Sequence, residues 1–225
     1  MRELVEKKVL TENDRLAAQL RQRYHHENIL CVNIISSPGS GKTALLERTL
    51  ASYVPGHPVA VLTGDLQTDN DARRLARFGL PVRQIVTGGT CHLDARMIDR
   101  HLHELGFRGP GLLLVENVGN LVCPSSYDLG EHAKIVLLSV TEGEDKPLKY
   151  PGIFHRSSLM ILTKTDLLPH VEFNPDLALK NARKIHPEIE YIALSARTGD
   201  GFDQWLHWLN ALQHKVQQRA AAINS

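Results

Sequence analysis

Three cysteines in 225 residues are too few, and odd in number, for a disulfide scaffold. A reducing cytoplasm is therefore the expected compartment, and each thiol is read as structural, catalytic or metal-binding. Charge of one sign is also lacking. Lys and Arg number 26 against 25 Asp and Glu, a net charge of +1, which argues against bulk attachment to nucleic acid or to a membrane surface. No stretch approaches the roughly twenty apolar residues that span a bilayer. The first ten residues mix acids with bases and hold no apolar run, so they do not read as a secretory leader. No internal repeat or low-complexity segment is visible. What remains is one α/β domain, or one domain with a short appendage, long enough to bury a full core.

The chain is organised around Ser36-Ser37-Pro38-Gly39-Ser40-Gly41-Lys42-Thr43. An apolar run over 29–35 leads in as a strand, and a helical pattern over 44–53 leads out. Between them the backbone must turn tightly and aim N–H groups at an anion, an approach that Gly39 and Gly41 permit because they carry no side chain. Ser37, Pro38 and Ser40 complete the cradle. Lys42 offers a cation to the β- and γ-phosphates, Thr43 a hydroxyl to Mg²⁺, and the helix N-terminus its positive dipole end. Ser36 stands where the first glycine of G-x-x-x-x-G-K-[ST] is expected, which requires only a tolerable backbone conformation there.

Along the chain, Thr11-Glu12-Asn13-Asp14 resembles a capping box opening an amphipathic helix to about His26, with Leu16, Leu20 and Tyr24 on one face. His25-His26 is a metal pair or a solvated helix end. Strands are expected over 58–63, 82–86, 111–115, 135–140, 159–162 and 191–194. A helix is expected near His92, another over 175–185, and a last one with Trp205, Trp208 and Leu209 in the core. The tail is expected to fray from about Gln217. Seven strands alternating with helices predict a doubly wound, mostly parallel sheet, whose ligands collect outside the C-terminal strand ends. The expected domains are a helical appendage (1–27), a nucleotide-binding domain (28–214) and a tail (215–225).

Each polar cluster follows a strand. Asp65 is placed to reach a Mg²⁺ shell directly or through water, while Asp69 or Asp71 can instead cap the helix that runs to Phe78. Glu116-Asn117-Val118-Gly119 stands where D-x-x-G is usual: Glu116 can still hold Mg²⁺, and Gly119 lets the backbone approach the γ-phosphate. With no glutamine placed to orient the attacking water, intrinsic hydrolysis is expected to be slow, aided by a partner or by dimerisation. Thr163-Lys164-Thr165-Asp166 resembles the Asn-Lys-x-Asp motif of GTP-binding proteins. The Asp166 carboxylate can accept two hydrogen bonds from guanine N1–H and the exocyclic amine, a pair adenine lacks, while the Lys164 stem lies along the base. Ser195-Ala196 resembles the loop whose backbone N–H meets the guanine carbonyl. Thr163 in place of Asn predicts a weaker tie to the phosphate loop and weaker affinity with guanine preference kept.

Cys91-His92 and Cys123 are distant in sequence, yet each follows a strand on the same sheet edge. Two thiolates and an imidazole suit Zn²⁺ or Ni²⁺ with a position left open. The same residues also read as a small buried Cys beside a capping His. Cys31, within the first strand, reads as core.

Together the phosphate loop, Gly64-Asp65, Cys91-His92-Leu93-Asp94-Ala95, the block from Glu116 to Pro124 and the block from Ser139 to Pro151 resemble the HypB family of GTPases, which help insert nickel into [NiFe]-hydrogenase. The resemblance runs over about 29–209. The Glu-Asn-Val-Gly-Asn-Leu-Val-Cys-Pro block separates it from the urease and cobalamin-mutase relatives. It implies a P-loop NTPase of the SIMIBI type binding GTP, GDP and Mg²⁺, and a homodimer formed around nucleotide. It also implies Ni²⁺ or Zn²⁺ on Cys91, His92 and Cys123 at the dimer interface. The partners implied are HypA, SlyD and the hydrogenase large-subunit precursor. Lys146 and Lys149 fall in family blocks and face nucleotide or the opposite subunit, or form a solvated charged turn. Leu167, Leu168 and Val171 offer a dimer surface or pack on the next helix. The Cys-x-x-Cys-Gly-Cys or His-rich tract of many members is absent before Cys31. A nickel or zinc carrier with weak nucleotide turnover, or a GTPase chaperone for another metalloenzyme such as urease, are the competing expectations.

Overall fold

The runs of aliphatic residues are buried on both faces of one parallel sheet. In this computed structural model, which describes residues 2–52, 58–65 and 70–223, the strands are β1 (Ile29–Ser36), β2 (Val59–Asp65), β3 (Val82–Val86), β4 (Gly111–Glu116), β5 (Ala133–Ser139), β6 (Leu159–Thr163) and β7 (Glu190–Ala193). Their order is β3-β2-β4-β1-β5-β6-β7, every pair parallel. The period of two along a strand divides β1 between layers. Leu30, Val32 and Ile34 pack on the side that also takes Leu45, Leu46, Trp205 and Leu209, while Ile29 and Cys31 face Ala17, Leu20 and Tyr24. The doubly wound expectation holds, as does the core placement of Cys31, Trp205 and Leu209.

Helices α1 (Arg2–Glu27), α2 (Lys42–Ser52), α3 (Asn70–Ala76), α4 (Ala95–Leu105), α5 (Cys123–Ser126), α6 (Lys146–Lys149), α7 (Pro151–Arg156), α8 (Pro175–Ile185) and α9 (Phe202–Ile223) fill the connections. Where cap chemistry is strong the ends are set by it. Asp94 accepts from Met97 N at 2.7 Å, and α4 closes on Gly106 at φ 64°. Asn174 caps α8 at 3.1 Å ahead of Pro175.

Three expectations need correction. Thr11 does not cap a helix; it lies inside α1, where its hydroxyl is satisfied by the Lys7 carbonyl at 2.8 Å. The helix after Cys91 begins at Ala95 rather than near His92, because Asp94 supplies the cap. α9 continues to Ile223, past Gln217, so the expected boundary at 214/215 falls inside one helix. Tyr53, Gln67 and Asp69 lie outside the described residues. No described helix is long and apolar enough to cross a membrane.

The strand ends converge on one edge. Ile34 lies opposite Glu116, Thr63 opposite Glu116 and Ser139 opposite Thr163. The loops that leave these ends build everything that follows.

Candidate nucleotide and metal site

The phosphate loop folds as the glycines demand, with Gly39 at φ 75° and Gly41 at φ 99°. Ser36 is not among the left-handed residues, which is why no glycine is needed there. It is buried, and its hydroxyl accepts from Lys42 Nζ at 3.1 Å. Burial pushes the Lys42 ammonium down, against the pull of Glu116, Asp71, Asp65 and Glu142.

Opposite it, Glu116 Oε1 accepts from the Thr43 hydroxyl at 2.8 Å, and its Oε2 is buried with no partner. Burial raises the Glu116 carboxyl to about 7, opposed by Lys42 and the Thr43 hydrogen bond. Lys42, Asp65, Asp71, Glu116, Pro38 and Gly119 line one cavity of about 220 Å³. A buried, unpaired carboxylate oxygen beside a hydroxyl, with two further carboxylates, Asp65 and Asp71, in the wall, fits a hard divalent cation.

Two side chains brace this cradle: Glu142, which the sequence did not single out, and Lys146, which it did. Glu142 Oε1 accepts from the Ser40 hydroxyl at 2.7 Å and from Ser139 N at 3.2 Å. Lys146 Nζ stands 3.3 Å from Glu142 Oε2 and 3.5 Å from Ser37 Oγ. Lys149 is turned to solvent, paired with Asp145 at 2.7 Å.

A second cavity, about 320 Å³, adjoins the loop and is lined by Gly41, Leu45, Lys164, Asp166, Leu167 and Ala196 among others. Lys164 takes the left-handed conformation at φ 60°. Asp166 Oδ1 accepts from the Ser195 hydroxyl at 2.6 Å. Within the Ser195-Ala196 loop, the Ser195 N–H donates to Asp200 O at 2.9 Å. Arg197 N and Thr198 N donate to Ser195 Oγ, and Gly199 N donates to Ser195 O. Ala196 is thus the residue whose N–H this turn leaves for a ligand.

Thr163 keeps part of the tie to the phosphate loop: its hydroxyl donates to Ser40 O at 2.7 Å, joining β6 directly to that loop. Thr163→Val leaves that buried carbonyl unpaired. It is expected to lower the stability of the ligand-free protein by about 1–3 kcal/mol, seen as a lower denaturant midpoint at unchanged slope.

Cys91 and Cys123 converge across the end of β2, sulfur to sulfur 2.7 Å, and with His92 their ligand atoms lie within 4.8 Å of one another. The Cys91 thiol donates to Cys123 Sγ, and that hydrogen bond pushes its pKa up from the ordinary thiol value. His92 stacks on Tyr127 at 3.7 Å, and its Nδ1 is buried with no partner. Burial pushes the imidazole down, favouring the neutral, ligating form. An unpaired ring nitrogen beside two thiols suits a borderline metal such as Zn²⁺ or Ni²⁺. Among the described residues this is the one His, Cys and carboxylate cluster with ligand spacing; His25-His26 forms none. Leu167, Leu168 and Val171 are half-buried against the core beside α8.

Asn117 joins the two centres. Its Oδ1 accepts from Leu93 N at 3.2 Å and Val118 N at 2.9 Å, while its Nδ2 donates to Asn33 at 3.2 Å. Helix α1 braces the same region: buried Asn13 accepts from Ala95 N and donates to Asp128 O, both at 2.9 Å. Lys134 holds the carbonyls of Pro124 and Tyr127.

A model of the nucleotide-binding domain described as CobW/HypB/UreG matches residues 30–193. The hydrogenase maturation factor HypB of Azotobacter vinelandii is 51% identical over 205 residues, 91% of this chain and 68% of that relative. The crystal structure of HypB from Helicobacter pylori in complex with nickel superposes with a TM-score of 0.84 at 38% identity, covering 91% of this chain and 96% of that one. The signal recognition particle 54 kDa protein of Aeropyrum pernix, with GDP, superposes at 0.56 and 15% identity over 94% of this chain and 55% of that one, a likeness of fold alone.

Proposed function

The chain belongs to the HypB family of hydrogenase maturation factors, within the CobW/HypB/UreG group, and from that premise we propose that it is a GTP-hydrolysing metallochaperone. It assists nickel insertion into a [NiFe]-hydrogenase through a dimer that GTP and metal control, in the cytoplasm, with HypA, SlyD and the hydrogenase large-subunit precursor as partners. The observation that carries this reading is the stretch from Glu116 to Cys123. Its first residue shares a hydrogen bond with Thr43 of the phosphate loop, and its last lies against Cys91.

In this reading the loop over 36–43 cradles the phosphates, and Lys42 leaves Ser36 for the β- and γ-oxygens. Thr43, Asp65 and Glu116 would hold Mg²⁺, which supplies charge neutralisation on the transferring phosphoryl group. Gly119 lets the backbone approach the γ-phosphate; its own approach to Pro38 leaves little room for a side chain. Asp166 and the Ala196 N–H read guanine, with Lys164 along the base. Nickel is the cargo, taken by Cys91, His92 and Cys123, and zinc competes for the same ligands. Asn117 lets a shift at the γ-phosphate reach the backbone next to His92. By linkage, whatever factor GTP imposes on nickel affinity, nickel imposes on GTP affinity.

The test is GTP hydrolysis measured beside light scattering, with and without Ni²⁺, for wild type and Cys123→Ala. GTP or nickel is expected to raise the mass to that of a dimer, and the substitution to remove the nickel effect while GTP turnover persists. Turnover and mass indifferent to both nickel and the substitution would leave a plain GTPase and sink the metallochaperone reading.

A further inference from the structure

Arg48 lies on α2, the helix that begins with Lys42 and Thr43, but its side chain leaves the phosphate region for the other end of the nucleotide cavity. Its Nη1 donates to the carbonyls of Ala196 at 3.1 Å and Arg197 at 3.3 Å. The guanidinium stands 5.4 Å over the Phe202 ring, where α9 begins. Gly199, at φ 95°, closes the turn so tightly that a Cβ there would collide with the guanidinium. The next residue, Thr49, accepts from Trp205 Nε1 at 2.9 Å, so α9 is docked on the same turn of α2.

We propose that Arg48 is the positioning residue for guanine recognition: it fixes the Ser195-Ala196-Arg197 turn to the helix that carries the phosphate ligands. This rests on the guanine-nucleotide reading above. The two carbonyls it grips belong to the two peptide units that directly follow the one carrying the Ala196 N–H, so they hold the turn on the C-terminal side of that group. A planar fork with its charge delocalised can hold both carbonyls while its face lies on Phe202. The base end and the phosphate end of the cavity are then one rigid unit, and the nucleotide does not have to order the turn on binding.

The test is displacement of a fluorescent GDP analogue by GDP, IDP and pyrophosphate, each with Mg²⁺. Inosine keeps the carbonyl that the turn would meet and lacks the amine that Asp166 would meet. Arg48→Ala is expected to weaken GDP and IDP together by roughly tenfold or more, the scale of losing charge-assisted hydrogen bonds. Pyrophosphate, which never reaches the turn, is expected to stay within about twofold, whereas a merely structural loosening of α2 would weaken all three alike. Arg48→Lys keeps the charge and a donating nitrogen but loses the planar face that lies on Phe202, and is expected to recover part of the loss.

If Arg48→Ala does not fold, Arg48→Met decides, since it keeps the packed stem, removes the donors to Ala196 and Arg197, and is expected to give the same base-only pattern. GDP affinity unchanged in Arg48→Ala, or pyrophosphate lost in step with GDP, overturns the assignment. Wild type that binds ADP as tightly as GDP would overturn the guanine reading itself, a result distinct from a guanine-selective wild type indifferent to Arg48.

Discussion

Asp166→Asn is expected to exchange guanine for xanthine. Affinity for GDP falls on the order of a hundredfold or more, because two hydrogen bonds to an ionised carboxylate are worth about 1.5–3 kcal/mol each and 1.4 kcal/mol is a factor of ten. The direction follows from how the carboxylate is held. Oδ1 already accepts from the Ser195 hydroxyl, and Oδ2 has only a distant Arg197 guanidinium at 3.9 Å. In the variant, Ser195 keeps the amide oxygen on its own side, so the amide nitrogen takes the place of Oδ2 and presents a donor. Guanine offers an amine there and is repelled; xanthine offers a carbonyl and is accepted. Displacement assays with GDP, XDP and ADP on wild type and variant read the result. A variant that still prefers GDP to XDP, or a wild type that does not discriminate GDP from ADP, would refute the base assignment.

The phosphate loop, and the Lys164, Asp166 and Ala196 that line the cavity beside it, were legible because the motifs they match fix residue type at fixed spacing. Gly39 and Gly41 must be glycine, Lys42 and Thr43 must follow them, and each loop must leave an aliphatic strand. The sheet was legible for the same reason, since strands buried on both faces are unbroken aliphatic runs. Other features depend on contacts far apart in the chain. Arg48 meets Ala196 and Ser40 meets Glu142 across more than a hundred residues, 148 and 102 respectively, with no local pattern to announce either. Convergence of Cys91 with Cys123 depended on strand order. β3 and β4 are separated by β2, and the loops close over its end.

α1 misled because Thr11-Glu12-Asn13-Asp14 has the composition of a cap, while its tertiary role lies in Asn13, which spends both ends of its amide on Ala95 and Asp128. The block containing Asn117 was visible, but its residue-level role was not. A buried amide that accepts from the chain beside His92 is indistinguishable in sequence from any other loop asparagine.

Glu116→Gln is the substitution for which stability and function are expected to move in opposite directions. In the free protein the Glu116 carboxyl titrates at about 7, chiefly because it is buried. The unfolded chain loses that proton near the ordinary glutamate value of about 4.3. Between these values the folded state holds a proton that the unfolded state has released, so stability falls as pH rises from about 4.3 to about 7 and is level above. The whole loss is on the order of 3 kcal/mol, from about 1.36 kcal/mol per unit. Gln has the shape of the protonated acid and no proton to lose. The variant is expected to match wild type near pH 4.5, to lack the downward step, and to be the more stable protein at pH 8 without metal or nucleotide. Addition of Mg²⁺ and GTP reverses the ranking. The carboxylate is then the form that would hold the cation, and the variant is expected to lose roughly 10–100-fold in Mg²⁺-dependent affinity or turnover. Denaturant midpoints across pH 4.5–8, with and without Mg²⁺ and nucleotide, follow both effects in one experiment. Identical pH profiles for the two free proteins would show that folding leaves the Glu116 carboxyl at its unfolded value. Unchanged Mg²⁺ dependence would remove it from the cation site. The opposed signs have one cause: a carboxylate kept out of water, with one oxygen unpaired, destabilises the empty protein and is the feature that a divalent cation beside the γ-phosphate requires.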